Sequence, residues 1–195
     1  RRVVRLDNLF YLKCYSIENH LLSKKGVFEI IRNKNPKLKD PDIEGSLNYE
    51  KLIQFVSKGL KELSCAFIII QKHNLGIEYH GMNISRDFNF AGQNIDYRMN
   101  FIPGYLLSVE LSLKNKNARF TLKGQSKAYK KYFKPTPKSM ENIPGKYILT
   151  FIKERLQTLS LVSQVSLESF TYMLSKEINS KELNYLKKNI QKYLA

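Results

Sequence analysis

The longest unbroken period in the chain, Leu47 to about His73, constrains the fold most. Apolar residues recur at Leu52, Phe55, Val56, Leu60, Leu63, Ala66, Phe67 and Ile70, the spacing of one helix face. Ser46 or Asn48 can cap its start, and Asn74-Leu75-Gly76 can end it. The run Ala66-Phe67-Ile68-Ile69-Ile70 is apolar on every side, so this end is predicted to be fully buried. With 195 residues, 43% of them hydrophobic, the chain can form a core around such a helix.

Upstream, Asn8-Leu9-Phe10-Tyr11-Leu12-Lys13-Cys14 is an apolar and aromatic run that reads as a strand. It passes into Tyr15-Ser16-Ile17-Glu18-Asn19 and on to Leu21-Leu22, which predicts a turn and a helical segment N-capped by Ser16. A carboxylate just after a strand sits where α/β sheets place their ligands, which makes Glu18 the first candidate for chemistry. The plainer reading is an acid in the first helical turn, favoured there by the helix dipole. Arg1-Arg2-Val3-Val4-Arg5 lacks the apolar core of a signal peptide. The chain opens without Met and feeds at once into the strand-like run, which predicts a start inside a domain, with earlier strands preceding residue 1.

Between these features lie a short helix over Gly26 to Ile31 and a polar, proline-containing loop from Asn33 to Asp42. After residue 76 the pattern loses its period. Asn100-Phe101-Ile102-Pro103-Gly104 reads as a turn, and Tyr105 to Leu113 as either strand or helix. Further helices are predicted from Tyr147 to about Leu161, from Ser166 to about Ser175 and from Lys181 to Leu194. The whole, residues 1–195, reads as one domain.

Charge narrows the partners. Lys plus Arg number 33 against 17 Asp plus Glu, a net +16, and such a field favours polyanions, nucleic acid first. A general lysine-rich bias of composition would give the same excess. Residues 114–138 concentrate it: Lys114, Lys116, Arg119, Lys123, Lys127, Lys130, Lys131, Lys134 and Lys138 occur with no Asp or Glu among them. Tyr129, Tyr132 and Phe133 are interleaved, as a surface that neutralises phosphates and stacks bases requires. If Lys127, Lys130, Lys131 and Lys134 share a helix, their spacing puts them on one face. The competing reading is a solvated surface helix.

Other chemistry is thinner. Asp40-Pro41-Asp42 has the D-x-D spelling of a Mg²⁺ ligand pair but lies in a polar loop without a preceding strand, so it reads as a turn. Lys146 follows Pro144-Gly145 at a helix start, where a lysine can hold a phosphate or simply occupy the first turn. Cys14 and Cys65 sit in apolar surroundings and read as buried thiols in a reducing cytoplasm. Two cysteines and histidines without ligand spacing argue against structural zinc. No phosphate-binding G-x-x-x-x-G-K-[ST] loop occurs, no Ser-His-Asp or Cys-His arrangement has supporting context, and no run approaches a membrane span.

Asn8 to Leu12, the signature Tyr15-Ser16-Ile17-Glu18-Asn19-His20-Leu21-Leu22 and, far downstream, Ile143-Pro144-Gly145-Lys146-Tyr147-Ile148-Leu149 together resemble a TOPRIM-like bacterial family of unknown function. That family occurs beside or fused to ABC-type ATPases and is distantly similar to the overcoming-lysogenization-defect nucleases. The resemblance implies an α/β fold: part of a TOPRIM/Rossmann-like core, followed by a helix-rich C-terminal half. It implies a Mg²⁺ cofactor, with Glu18 as a metal-site residue and Lys146 near the active centre. The family's other metal ligands, a strand Glu and a D-x-D, would precede residue 1, and Asp40 and Asp42 fall on the wrong side of the signature. The expectation is a cytoplasmic nuclease-like module of a defence system working with an ATPase. The alternative is a non-catalytic module that docks nucleic acid or the ATPase.

Overall fold

The computed structural model describes residues 16–79, 88–89, 96–97, 101–133, 142–177 and 184–194. The predicted strand over residues 8–14 lies outside them. Four helices open the description, α1 (Lys24–Lys34), α2 (Asp40–Leu47), α3 (Tyr49–His73) and, later, α4 (Phe101–Lys116). They continue with α5 (Leu122–Lys127), α6 (Gly145–Thr158), α7 (Leu167–Lys176) and α8 (Asn184–Leu194). Short 3-10 turns occupy Ile17–Leu21 and Lys130–Tyr132.

Helix α3 is the spine. Asn48 takes the left-handed conformation (φ 43°) and serves both neighbours: it ends α2 and its side chain accepts from the Lys51 amide of α3. Asn74, also left-handed (φ 47°), ends α3, and the Leu75 amide returns to the Ile70 carbonyl at 3.2 Å. Asparagine suits both places because it tolerates this region better than other residues with a Cβ. Of the all-apolar run, Ala66, Phe67, Ile69 and Ile70 are buried, as are Leu63 to Cys65 before it, whereas Ile68, expected to be fully enclosed, is half-buried. Ser64 is buried with them and is satisfied by donating to the Leu60 carbonyl at 2.8 Å. Around this spine pack α4, α5 and α6; α7 packs on α6, on α1 and on the 3-10 turn at Ile17–Leu21, that turn also meets α6, and α1 meets α2. One continuous apolar core runs through them, with Phe151, Phe170, Ile31, Ile43 and Leu60 among its fully buried members.

The α/β expectation is overturned. Among the described residues the fold is helical, and the sole strand pairing joins β1 (Phe88–Asn89) to β2 (Asp96–Tyr97), antiparallel and two residues long. Such a pair cannot carry a TOPRIM/Rossmann-like sheet, which needs several parallel strands covered on both faces. The stretch that the sequence left open between strand and helix falls in α4. Tyr105 to Leu113, ambiguous by period, is rich in Leu and folds as helix. The predicted turn at Phe101–Gly104 is its first turn instead, where Pro103 removes an amide that has no intrahelical partner in any case. Likewise α2 begins at Asp40, inside the predicted loop. No described helix is long and apolar enough to cross a membrane.

Candidate nucleic-acid interface

The two short signatures that the sequence singles out are far apart in the chain and meet in the fold. Ser16 precedes the 3-10 turn in extended conformation. The Asn19 side-chain oxygen accepts from both the amide and the hydroxyl of Ser16, each at 3.0 Å. Its Nδ2 donates to the Ile143 carbonyl at 2.9 Å. Directly after that carbonyl, Pro144-Gly145 starts α6, and Gly145 is buried against the same turn. A Cβ at residue 145 would lie 2.6 Å from the Asn19 nitrogen and 2.9 Å from the Glu18 carbonyl carbon. Glycine is therefore required for close approach, and the signatures are two halves of one clasp that fixes where α6 begins.

The clasp does not assemble a catalytic centre from the described residues. Glu18 is half-buried in the first turn, and among the described residues no ion pair joins it to a cation. Lys146 is exposed on α6, and its charge acts on α7. The Glu168 carboxyl is held below the usual range, first by its own backbone amide and the Ser166 hydroxyl, then by Lys146 and Lys153. Among the described residues no group of three or more His, Cys, Asp or Glu converges to hold a metal ion. A Mg²⁺ site at Glu18 is thus not matched by the side chains described around it, since hard cations need several oxygen ligands. Asp40 and Asp42 act as helix-start acids: Asp40 pairs with Arg32 at 2.9 Å, and the Asp42 carboxylate accepts from the Lys39 amide at 3.1 Å. An open groove of about 570 Å³ beside them is lined by Lys24, Phe28, Arg32 and Glu44 among others. Of its three cations, Lys24 pairs with Glu44 at 2.9 Å and Arg32 with Asp40 and Glu29, and Lys25 lines it as well.

The basic stretch is built differently. Lys114 and Lys116 end α4, Arg119 lies in the following turn, Lys123 and Lys127 belong to α5, and Lys130 and Lys131 to the second 3-10 turn. All seven are exposed, while Lys134 lies outside the described residues. Between them Leu113, Ser126 and Phe133 are buried, and Phe120, Leu122 and Tyr129 are half-buried against the core. The segment is therefore anchored by apolar groups and turns its cations outward.

Local hydrogen bonds fix its path. The Thr121 hydroxyl caps α5 by accepting from the Gly124 amide at 3.1 Å. The Glu110 carboxylate accepts from the Leu122 amide and pairs with Lys114 at 3.2 Å, tying α4 to α5. His73, at the end of α3, meets Gln125 at 3.1 Å and the Phe120 ring edge-on at 5.2 Å.

Two sequence expectations for this segment need correction. Lys127, Lys130 and Lys131 do not share a helix face, because α5 stops at Lys127 and a separate 3-10 turn follows. Nor are Phe133 and Tyr129 offered to bases: Phe133 is 3% exposed, and Tyr129 is half-buried with the Lys72 ammonium 5.8 Å above its ring. The Tyr132 side chain is outside the described set.

Packing also recruits cations that the sequence reading missed. Lys72 comes from α3, brought in by Tyr129. Lys61, also from α3, lies with Lys130 close enough to Cys65 for both to oppose the rise that burial gives its thiol pKa, to about 11. Glu62 of α3 acts in the opposite sense on the same thiol, so the patch borders an acid there. No signal in the linear sequence joins Lys61 or Lys72 to residues 114–131; only the docking of α4 and α5 on α3 does.

No family model, curated protein or solved structure matches the chain.

Proposed function

We propose that this chain is a nucleic-acid-binding module that grips phosphates through Lys114, Lys116, Arg119, Lys123, Lys127, Lys130 and Lys131, with Lys61 and Lys72 beside them. One observation carries the reading: the exposed cations stand on a segment free of acids whose apolar residues are locked into the core. Positioned lysines of this kind act on the phosphate backbone as point charges. The reading stops at binding. Phosphoryl-transfer chemistry would need acids converging on a metal, and the described residues bring none together.

The test is a salt series. Affinity for an oligonucleotide should fall with log salt at a slope of about −0.9 per phosphate neutralised on duplex. Four contacts would lower affinity roughly 150-fold between 50 and 200 mM salt. In the double variant Lys123→Glu, Lys127→Glu the slope should become shallower by about two contacts. An unchanged slope and affinity would reduce the surface to solvated lysines.

A further inference from the structure

Resting on the reading of this surface as a phosphate contact, we infer that its ligand is duplex nucleic acid held by the backbone, not single strand held by stacked bases. Non-specific single-strand binders combine a groove that tracks one backbone with exposed aromatic faces on which successive bases stack. The sequence of residues 114–133 spells that combination, cations interleaved with aromatics. For the three described rings, Phe120, Tyr129 and Phe133, the fold separates the two. Phe133 is in the core. Phe120 is half-buried with its ring against His73, and Tyr129 is half-buried beneath the Lys72 ammonium. Their rings are used to anchor α5 and the following turn to α3.

What faces outward is charge. Seven exposed cations come from the end of α4, a turn, α5 and a 3-10 turn, and α3 adds Lys72. The elements that carry them adjoin, α5 packing on α3, on α4 and on the 3-10 turn, so the charge comes from several elements and not from one extended segment. Only one of these residues is Arg, so planar bidentate reading of guanine has little to work with. A patch of ammonium groups gains most from the ligand with the densest phosphates. Duplex carries a charge every ~1.7 Å of axis, half the spacing of a single strand. The greater counterion release from duplex, about 0.9 against 0.7 per contact, favours it roughly tenfold for five contacts at 0.1 M salt.

The experiment is fluorescence anisotropy with the full chain at 0.1 M salt. The probes are a short labelled DNA duplex, the matching RNA duplex and each single strand, in two base compositions. Duplex is expected to bind about tenfold tighter than single strand, with less than about twofold dependence on base composition. Tyr129→Leu and Tyr132→Leu, which keep apolar bulk and remove the π-face, should leave both affinities within about twofold, whereas stacking on either ring is worth roughly fivefold or more. Single strand bound as tightly as duplex, or a fivefold loss in either Leu variant, would overturn the duplex assignment and leave the phosphate-contact reading standing. Absence of binding to every probe, or affinity indifferent to Lys123→Glu, Lys127→Glu, would instead remove that reading itself. A preference between the DNA and RNA duplexes assigns which helical form the patch fits.

Discussion

Replacing Gly145 by Ala tests whether the two signatures form a packing clasp. The new methyl would sit 2.6 Å from the Asn19 nitrogen, 2.9 Å from its Oδ1 and 2.9 Å from the Glu18 carbonyl carbon. Two of these three atoms are backbone, so no rotamer change relieves the contact; the turn and α6 must separate. Forcing a methyl into a closed contact costs about 1–3 kcal/mol. Separation also strains the 2.9 Å bond from Asn19 to the Ile143 carbonyl, worth about 1 kcal/mol. Against this, Ala in place of Gly in a helix returns at most ~1 kcal/mol. The net expectation is a loss of about 2 kcal/mol, read as a fall in Tm of about 4–8 °C for a domain of this size. Urea unfolding should show a lower midpoint at constant slope. Gly45→Ala is the matched control, since nothing lies within 4 Å of a Cβ there and the site is exposed on α2; it should stabilise by about 0.5–1 kcal/mol. If Gly145→Ala is as stable as Gly45→Ala, the clasp does not fix α6 and the geometric reasoning fails. Nucleic-acid affinity well below the Tm should be unchanged in Gly145→Ala, because the basic patch rests on α3, α4 and α5.

Three further outcomes follow from the fold. Asn74 holds a left-handed conformation at the end of α3, so Asn74→Val should destabilise by about 1–2 kcal/mol, whereas Asn74→Gly should be near neutral in thermal unfolding; equal effects would remove the backbone argument. Burial raises the Cys65 thiol pKa to about 11 in the folded chain, above the ~8.5 of an unfolded thiol. Folded protein therefore holds a proton that unfolded protein loses, so the contribution is present below about pH 8.5 and disappears as pH rises toward the folded value. In a Cys14→Ser background, iodoacetamide at pH 8 should label Cys65 only through opening, and labelling as fast in folded as in urea-unfolded protein would contradict its burial. The Glu168 carboxyl is held below its ordinary range by its own amide, Ser166 and the charges of Lys146 and Lys153. Its contribution is present at neutral pH and lost as pH falls below the ordinary carboxylate range. Lys146→Gln should raise the Glu168 pKa measured by carboxyl NMR, and no movement would displace Lys146 from α7.

What could be read in the sequence was decided by whether a feature is local. The long helix was legible because its period is written in α3 itself, and Asn48 and Asn74 stop it by their own backbone preference. Helix α4 was not, because its outer face carries Leu107 and Leu111, 58% and 54% exposed, and these erase the contrast between faces. The expectation of an α/β core rested instead on the strand-like run over residues 8–14 and on the family resemblance, and the described residues do not form such a core. The same division holds for the candidate sites. Exposed charge needs no precise partner, so the basic segment was visible as composition, whereas the inward turn of Phe133 and Tyr129 and the arrival of Lys61 and Lys72 belong to tertiary packing. The signature at Ser16 to Asn19 fell between the two. A short polar side chain at a helical start and a glycine opening another helix are what an anion site uses, and they are equally what two closely packed backbones use. The residues alone do not separate these uses; the destination of the side chain does. Here the Asn19 amide is spent on Ser16 and Ile143, and the space over Gly145 is filled by the turn itself. A site whose donors and space are already taken by the chain has little left for a phosphate, which is why the proposed phosphate contact is assigned to the exposed cations of α4 and α5 and not to the clasp.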